Sequence, residues 1–341
     1  MIYSAKRDRY QSTMKYVQCG KSGLLLPKIS LGLWHNFGES DNFQTSKSIL
    51  EHAFDSGITH FDLANNYGTP AGSAEATFGK ILHTSFAQHR DEMILSTKAG
   101  HFMWEGPYGD GSSRKNLIAS LDQSLKRMQL DYVDIFYSHR YDGVTPIEET
   151  MQTLIDIVKS GKALYIGLSK YPPEIAKKCY SFLEEQGVHC LIHQDRYNML
   201  TRGVEENALE TARNAGVGFC AFSPLAQGLL TDRYLNGIPS DSRVLKSVFL
   251  KKEAVSDERL TMIRALNDLA LASDQSLAQM SIRWLLSNSA VTTVLVGASS
   301  TEQLKNNLTA LNAPILDSSI QTRISDIISQ FSTIRTIEKH A

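Results

Sequence analysis

Short apolar runs separated by amphipathic stretches recur along almost the whole chain. Strand-length runs fall at Ile29–Leu33, Ile58–Phe61, Met93–Thr97, Tyr132–Tyr137, Ala163–Leu168, Val188–His193, Gly218–Phe222 and Thr293–Val296, eight in all. Between them, apolar residues return at helical spacing in Thr45–Ser56, Arg114–Met128, Ile147–Ser160, Pro173–Gln186, Val204–Ala215 and Glu302–Leu311. Strands alternating with crossover helices form parallel sheets, and eight such units predict an α/β fold of the closed (β/α)8 TIM barrel type. A doubly wound open sheet is the alternative, but its dinucleotide-binding form carries Gly-x-Gly-x-x-Gly after the first strand. Gly109-Asp110-Gly111 comes nearest, with Arg114 in the third glycine's place and no strand before it. Ahead of the first barrel strand, Tyr16–Cys19 and Leu24–Leu26 flank Gly20-Lys21-Ser22-Gly23 and predict an N-terminal β-hairpin. Beyond Asn312, the spacing of Ile320, Ile324, Ile327 and Ile328 predicts a C-terminal helix packed on the barrel, or else on a neighbouring subunit.

Composition narrows this picture. With 341 residues, 42% of them hydrophobic, and no linker or low-complexity tract, the chain reads as a single domain over residues 1–341. A formal net charge of −1 supplies no overall pull toward nucleic acid or an anionic membrane. Cys19, Cys179, Cys190 and Cys220 are scattered, which suits buried thiols and argues against a metal or dithiol site. Lys6, Arg7, Asp8 and Arg9 interrupt the N-terminal segment, and no apolar run approaches membrane-spanning length. A soluble, cytoplasmic protein with neither nucleic acid nor membrane as partner is expected.

Polar groups gather where the predicted strands end. Gly57-Ile58-Thr59-His60-Phe61-Asp62-Leu63-Ala64 runs into Asn65-Asn66-Tyr67-Gly68, Lys98 follows Met93–Thr97, and His139 follows Tyr132–Tyr137. In a barrel every strand's C-terminal end opens on one mouth, where such enzymes carry their chemistry. That mouth would collect Trp34, Asp62, Tyr67, Lys98, His139, Ser169, Gln194, Ser223 and Ser299. Taken singly, Asp62 suits a cap, Tyr67 packing, Lys98 a solvated charge and His139 a core imidazole; their conjunction points to proton transfer. A phenol ionises near pH 10, so Tyr67 needs help as an acid, which a Lys98 ammonium held by Asp62 supplies. His139 is placed to hydrogen-bond a carbonyl oxygen as charge develops on it.

These segments resemble those of the aldo-keto reductases, from about Tyr16 to about Leu311: Gly57–Gly68 the strand-and-loop signature, Ser96-Thr97-Lys98 the lysine motif and Tyr137-Ser138-His139-Arg140 the histidine motif. The resemblance implies a catalytic tetrad of Asp62, Tyr67, Lys98 and His139, with Tyr67 as proton donor, and a nicotinamide cofactor, NADPH, bound without a Rossmann fold. It implies that Ser169 and Gln194 hold the carboxamide, with Trp34 and Asp62 also at the cofactor. Phe222 stacks on the nicotinamide, and Ser223, Leu225, Gln227 and Gly228 begin the loop over the pyrophosphate. Gly297, Ser299, Gln303, Asn306 and Asn307 form the adenosine end. Arg233 and Arg243 lie in a long insertion read as a flap, whose guanidinium groups suit a 2′-phosphate. The implied substrate pocket is Trp34, Tyr67, Trp104 and His139.

Three positions depart from the family's pattern: Lys170 stands where many members have asparagine, Phe222 where tyrosine is common, and Asn306 where some have glutamate. Within the family, Cys19–Gly23, Trp34–Gly38 and Leu225–Tyr234 look most like bacterial L-glyceraldehyde 3-phosphate reductases, a branch related to potassium channel β subunits. That branch implies small aldehydes, including L-glyceraldehyde 3-phosphate and methylglyoxal, as substrates, and a homo-oligomer, tetramer or octamer. Two other readings are a redox-sensing or regulatory subunit that binds NADPH and turns over little, and a barrel hydrolase or lyase without nicotinamide.

Overall fold

A computed structural model describes residues 3–11, 13–238 and 255–331. Its centre is a closed barrel of eight parallel strands: β3 (Ile29–Gly32), β4 (His60–Asp62), β5 (Ile94–Ala99), β6 (Val133–Ser138), β7 (Ala163–Ser169), β8 (Cys190–Arg196), β9 (Gly218–Phe222) and β10 (Thr293–Val296). The strands pair in sequence order and β10 returns to β3, so the predicted (β/α)8 barrel is present and the open sheet is excluded.

Several strand ends differ from expectation for one reason. The run at Ile58–Phe61 gives way to a strand at His60–Asp62, and Lys98 lies inside β5 rather than after it. Lys98 pairs in register with Tyr137, and Ala99 with Ser138. A polar side chain facing the barrel interior ends an apolar run in the sequence without ending the hydrogen-bonded ladder.

Helices follow the strands on the outside. Among those described are α1 (Phe43–Asp55), α2 (Ser73–Ser85), α3 (Arg114–Met128), α4 (Ile147–Lys159), α5 (Pro173–Glu185), α6 (Ala208–Asn214), α7 (Asp257–Leu271), α8 (Leu277–Ser287), α9 (Thr301–Leu308) and α10 (Ser318–Gln330). Asn42 caps α1 by accepting from the Thr45 amide, and Ser276 with Gln279 forms a capping box on α8. The helix expected at Val204–Ala215 is shorter, because Val204–Asn207 forms turns before Ala208. Glu302–Leu311 becomes α9 followed by one 3-10 turn. The predicted C-terminal helix is α10, which buries Ile324 and Ile328 and packs against α7.

The hairpin, β1 (Tyr16–Gln18) with β2 (Leu25–Pro27), closes the barrel's N-terminal end. Its Cys19 and Leu26, fully buried, join Ile135, Tyr137, Leu191, Ile192, Cys220 and Leu295 in one apolar cluster inside the barrel. Gly20 has a left-handed φ of 57°, and a Cβ there would lie 2.2 Å from the Gly216 carbonyl oxygen. The neighbouring Lys21 amide donates to that same oxygen at 2.8 Å. All four cysteines are free and buried, and burial pushes the Cys19 and Cys179 thiols up to about 12, so they are protonated and unreactive at neutral pH.

Candidate active site

Parallel register carries the polar residues of successive strands to the same level at the mouth. Asp62 pairs with Ser96, Lys98 with Tyr137, and Ser169 with Gln194. Asp62 and Lys98 are both inaccessible to solvent, and the Lys98 ammonium donates to Asp62 Oδ2 at 2.5 Å and to the Leu63 carbonyl at 2.7 Å. It also lies 5.1 Å from the centre of the Tyr67 ring and 5.4 Å from that of Tyr137. Tyr137 reaches the barrel axis because Gly167 has no side chain; a Cβ there would meet the Tyr137 ring at 2.3 Å. The rings of Tyr67 and His139 meet edge to face with centroids 5.9 Å apart, and Trp34 lies 6.4 Å from Tyr67. Trp104 is half-buried in the loop over residues 100–113 and shares no ring contact with Tyr67 or His139 among the described residues.

The second oxygen of Asp62 ends a chain of donors. Ser96 Oγ donates to Asp62 Oδ1 at 2.6 Å, and Gln194 Nε2 donates to the same oxygen at 3.2 Å. A carboxylate only accepts, so the single Ser96 proton is committed to it. Ser96 then accepts from His60 Nε2 at 3.0 Å, leaving His60 Nδ1 to accept from Ser30 at 2.9 Å and Ser30 to accept from Thr293 at 2.7 Å. Burial lowers the His60 pKa to about 4, so the ring is neutral, as this chain requires. Ser96 and His60 escaped the sequence reading. Each lies two residues before a predicted site residue, hence on the same strand face, and that periodicity is the signal for them.

Protonation at neutral pH follows. Burial raises the Tyr67 pKa and Lys98 opposes it by charge and hydrogen bonding; burial wins, so the phenol holds its proton. Burial pushes the Lys98 pKa down, yet the charge of Asp62 and the hydrogen bond to it outweigh burial and the ammonium stays charged. Burial, aided by Lys98 and Lys170, drives His139 well below its usual value. Its imidazole is neutral, and Nδ1 is buried without a hydrogen-bond partner among the described residues.

The residues expected at the cofactor line one arc of the mouth. Ser169 and Gln194 are buried at the ends of β7 and β8, and Phe222 ends β9 with its ring half-exposed. Past it the backbone is left-handed at Ser223, Ala226, Gln227 and Gly228, three of them non-glycine, a strain that persists where a ligand clamp requires it. Leu225 precedes this turn, and Arg233 is exposed in the 3-10 turn Asp232–Tyr234. Arg243 lies outside the described residues. At the far end Gly297 and Ser299 are exposed, and both the amide and the hydroxyl of Ser299 donate to Gln303 Oε1, at 2.7 and 3.0 Å. Asn306 is exposed on α9, whereas Asn307 is buried with its Nδ2 donor lacking a partner among the described residues. An aromatic face, side-chain amides and an unanswered buried donor fit a nicotinamide dinucleotide. No described group of His, Cys, Asp or Glu could hold a metal ion, and no described helix is long and apolar enough to cross a membrane.

Comparison with known proteins agrees with this fold. Residues 28–328 match the aldo/keto reductase family. The chain is 56% identical over 317 residues to L-glyceraldehyde 3-phosphate reductase of Escherichia coli O157:H7, covering 92% of this chain and 91% of that one. It is 33% identical over 323 residues to a probable voltage-gated potassium channel subunit beta of Oryza sativa subsp. japonica, covering 92% and 97%.

Proposed function

The chain belongs to the aldo/keto reductase family, and from that premise we propose that it reduces small aldehydes to alcohols with NADPH, L-glyceraldehyde 3-phosphate and methylglyoxal among them. The whole chain acts as one reductase domain. The observation that carries this reading is the solvent-free Asp62–Lys98 pair directly beneath a protonated Tyr67, with a neutral His139 across from it.

In this reading Tyr67 is the acid. The Lys98 charge favours the phenolate left behind when the proton departs, and Asp62 fixes that charge in place. His139, neutral, hydrogen-bonds the carbonyl oxygen without competing as a proton source. The nicotinamide, when bound, supplies the hydride. Ser169 and Gln194 hold its carboxamide, Phe222 its ring face, and residues 223–228 its pyrophosphate. Ser299, Asn307 and the exposed Arg233 take the adenosine 2′-phosphate end, which favours NADPH over NADH. Gln303 must release Ser299 for that contact to form.

The test is titration of the protein with NADPH and NADH by tryptophan fluorescence, followed by addition of methylglyoxal or L-glyceraldehyde 3-phosphate while nicotinamide absorbance is recorded. Wild type should bind NADPH and oxidise it. Tyr67→Phe should keep binding and lose about 10²–10⁴-fold in turnover, the usual worth of a general acid. Parental turnover in that variant would remove Tyr67 from its role. Tight NADPH binding without oxidation in wild type would favour a regulatory subunit, and absence of binding would overturn both readings.

A further inference from the structure

Beside His139 the rim carries charge that the proton chemistry does not use. Lys170, the residue after β7, is exposed, and its ammonium meets His101 Nε2 at 2.9 Å. His101 follows β5 after Gly100, and β6 lies between β5 and β7 in the barrel. The Lys170–His101 bond therefore spans the end of the strand that leads into His139. The His101 ring stands edge-on to His139 with centroids 4.5 Å apart, so the Lys170 ammonium is one imidazole away from the carbonyl-binding group.

The cluster is built to keep that ammonium available. Burial, with Lys170 and Arg140 nearby, lowers the His101 pKa to about 4; the ring is neutral, accepts at Nε2 and carries its hydrogen on Nδ1. Arg140 is committed to the loop: its Nε donates to the Gly100 carbonyl at 2.9 Å and its NH2 to Asp110 at 2.8 Å. Lys170 pairs with no carboxylate among the described residues, and two of its three donor hydrogens remain for a ligand. Its backbone is left-handed at φ 55°, uncommon for lysine, and is held there by its amide donating to the Gln194 carbonyl at 3.1 Å. Burial lowers the Lys170 pKa to about 8 against the opposing charge of Asp195, so the ammonium stays mostly charged at neutral pH; a left-handed cation without an ion pair among the described residues, one imidazole away from His139, is a place for an anion.

We propose that Lys170, positioned by His101, is an anion subsite that binds the phosphate of a short phosphorylated aldehyde whose carbonyl lies at Tyr67 and His139. This rests on the reductase reading. It makes the lysine a determinant of substrate choice, separate from the proton-transfer residues. The competing source of a phosphate here is the cofactor itself, and the experiment separates the two.

Steady-state kinetics of the full chain with NADPH would compare L-glyceraldehyde 3-phosphate with methylglyoxal for wild type, Lys170→Gln, Lys170→Arg and His101→Phe. In Lys170→Gln the ratio of kcat/KM for the phosphorylated over the unphosphorylated aldehyde should fall about tenfold or more, through KM, as expected for loss of a charge-assisted hydrogen bond. Arginine, which keeps the charge, should restore much of the ratio, and His101→Phe should lower it by a smaller factor. Inorganic phosphate should compete with the phosphorylated aldehyde in wild type and cease to do so in Lys170→Gln. An unchanged ratio overturns the proposal. So does an equal loss for both aldehydes with weakened NADPH binding, which would make Lys170 a cofactor contact. If wild type oxidises NADPH with neither aldehyde, the reductase reading fails on its own, and calorimetric titration with inorganic phosphate decides the subsite. Binding that Lys170→Gln abolishes supports it, and no binding to wild type overturns it.

Discussion

At the barrel floor, Cys19 and Leu26 of the hairpin sit against Tyr137, Ile192 and Leu295 with no charge among them, whereas at the mouth Asp62 and Lys98 are just as inaccessible and carry opposite charges. The floor gains from burial itself, about 1.5–3 kcal/mol for each large apolar side chain withdrawn from water. The mouth gains little that way. Desolvating two charges costs several kcal/mol each, and well-packed apolar residues of similar volume often stabilise a fold as well or better. An ion pair kept at such a cost, with Ser96, Gln194 and the Leu63 carbonyl satisfying its remaining groups, suits the proton chemistry proposed for the mouth better than a purely stabilising role.

That contrast can be broken from either end. Lys98→Met should have the largest effect, because it removes the charge that favours the Tyr67 phenolate and leaves Asp62 buried without its counter-ion. Turnover should be lost, and stability should fall by about 3–5 kcal/mol in chemical denaturation. If the variant instead kept wild-type stability, the pair would not be holding a charge at Asp62. At the floor, Gly20→Ala forces an L-residue into left-handed backbone and drives its Cβ onto the Gly216 carbonyl. It should cost about 1–3 kcal/mol, more if the hairpin detaches, while kcat per folded molecule stays unchanged. A changed kcat would mean that floor and mouth are coupled.

Acid should sharpen the contrast most gradually. His60 and His101 have folded pKa values lowered to about 4, and His139 lies well below its usual value. Between pH 6.5 and 4 the unfolded chain takes up protons that these folded sites refuse. The stability they permit is complete above pH 6.5 and declines as pH falls through that window. Thermal unfolding followed across the range should show the decline, and His60→Gln should make it shallower by one group's share.

Much of this was legible in the chain. The barrel followed from eight apolar runs, and the mouth residues from the polar group that succeeded each run. The misses have physical causes. Helix α2 begins just after the glycine-rich Gly68–Gly72, which reads as loop, although Ala74, Phe78, Ile81 and Leu82 carry its buried face. Lys98 reads as a strand end because charge interrupts hydrophobicity and leaves the ladder intact. Trp104, expected in the substrate pocket, lies in its loop without a ring contact to the tetrad among the described residues, because aromatic residues in loops carry no periodicity to say where they point. His101 had no signal either: its significance lies in reaching Lys170 across an intervening strand, a relation between residues 69 positions apart.

Closure of the barrel has a consequence for how the molecule comes into being. The hydroxyls of Ser30 and Thr293, 2.7 Å apart, are separated by 263 positions in sequence, and β3 and β10 form the last seam of the sheet. During synthesis β3 emerges early and waits, one edge unpaired, until Val296 has left the ribosome. The hairpin waits nearly as long, since the Cys19 thiol donates to the Leu191 carbonyl and Lys21 rests on Gly216. Residues early in the chain are thus among the last to be locked in place, and a chain halted before residue 290 would leave β3 and β9 as open edges of the sheet that otherwise closes on itself.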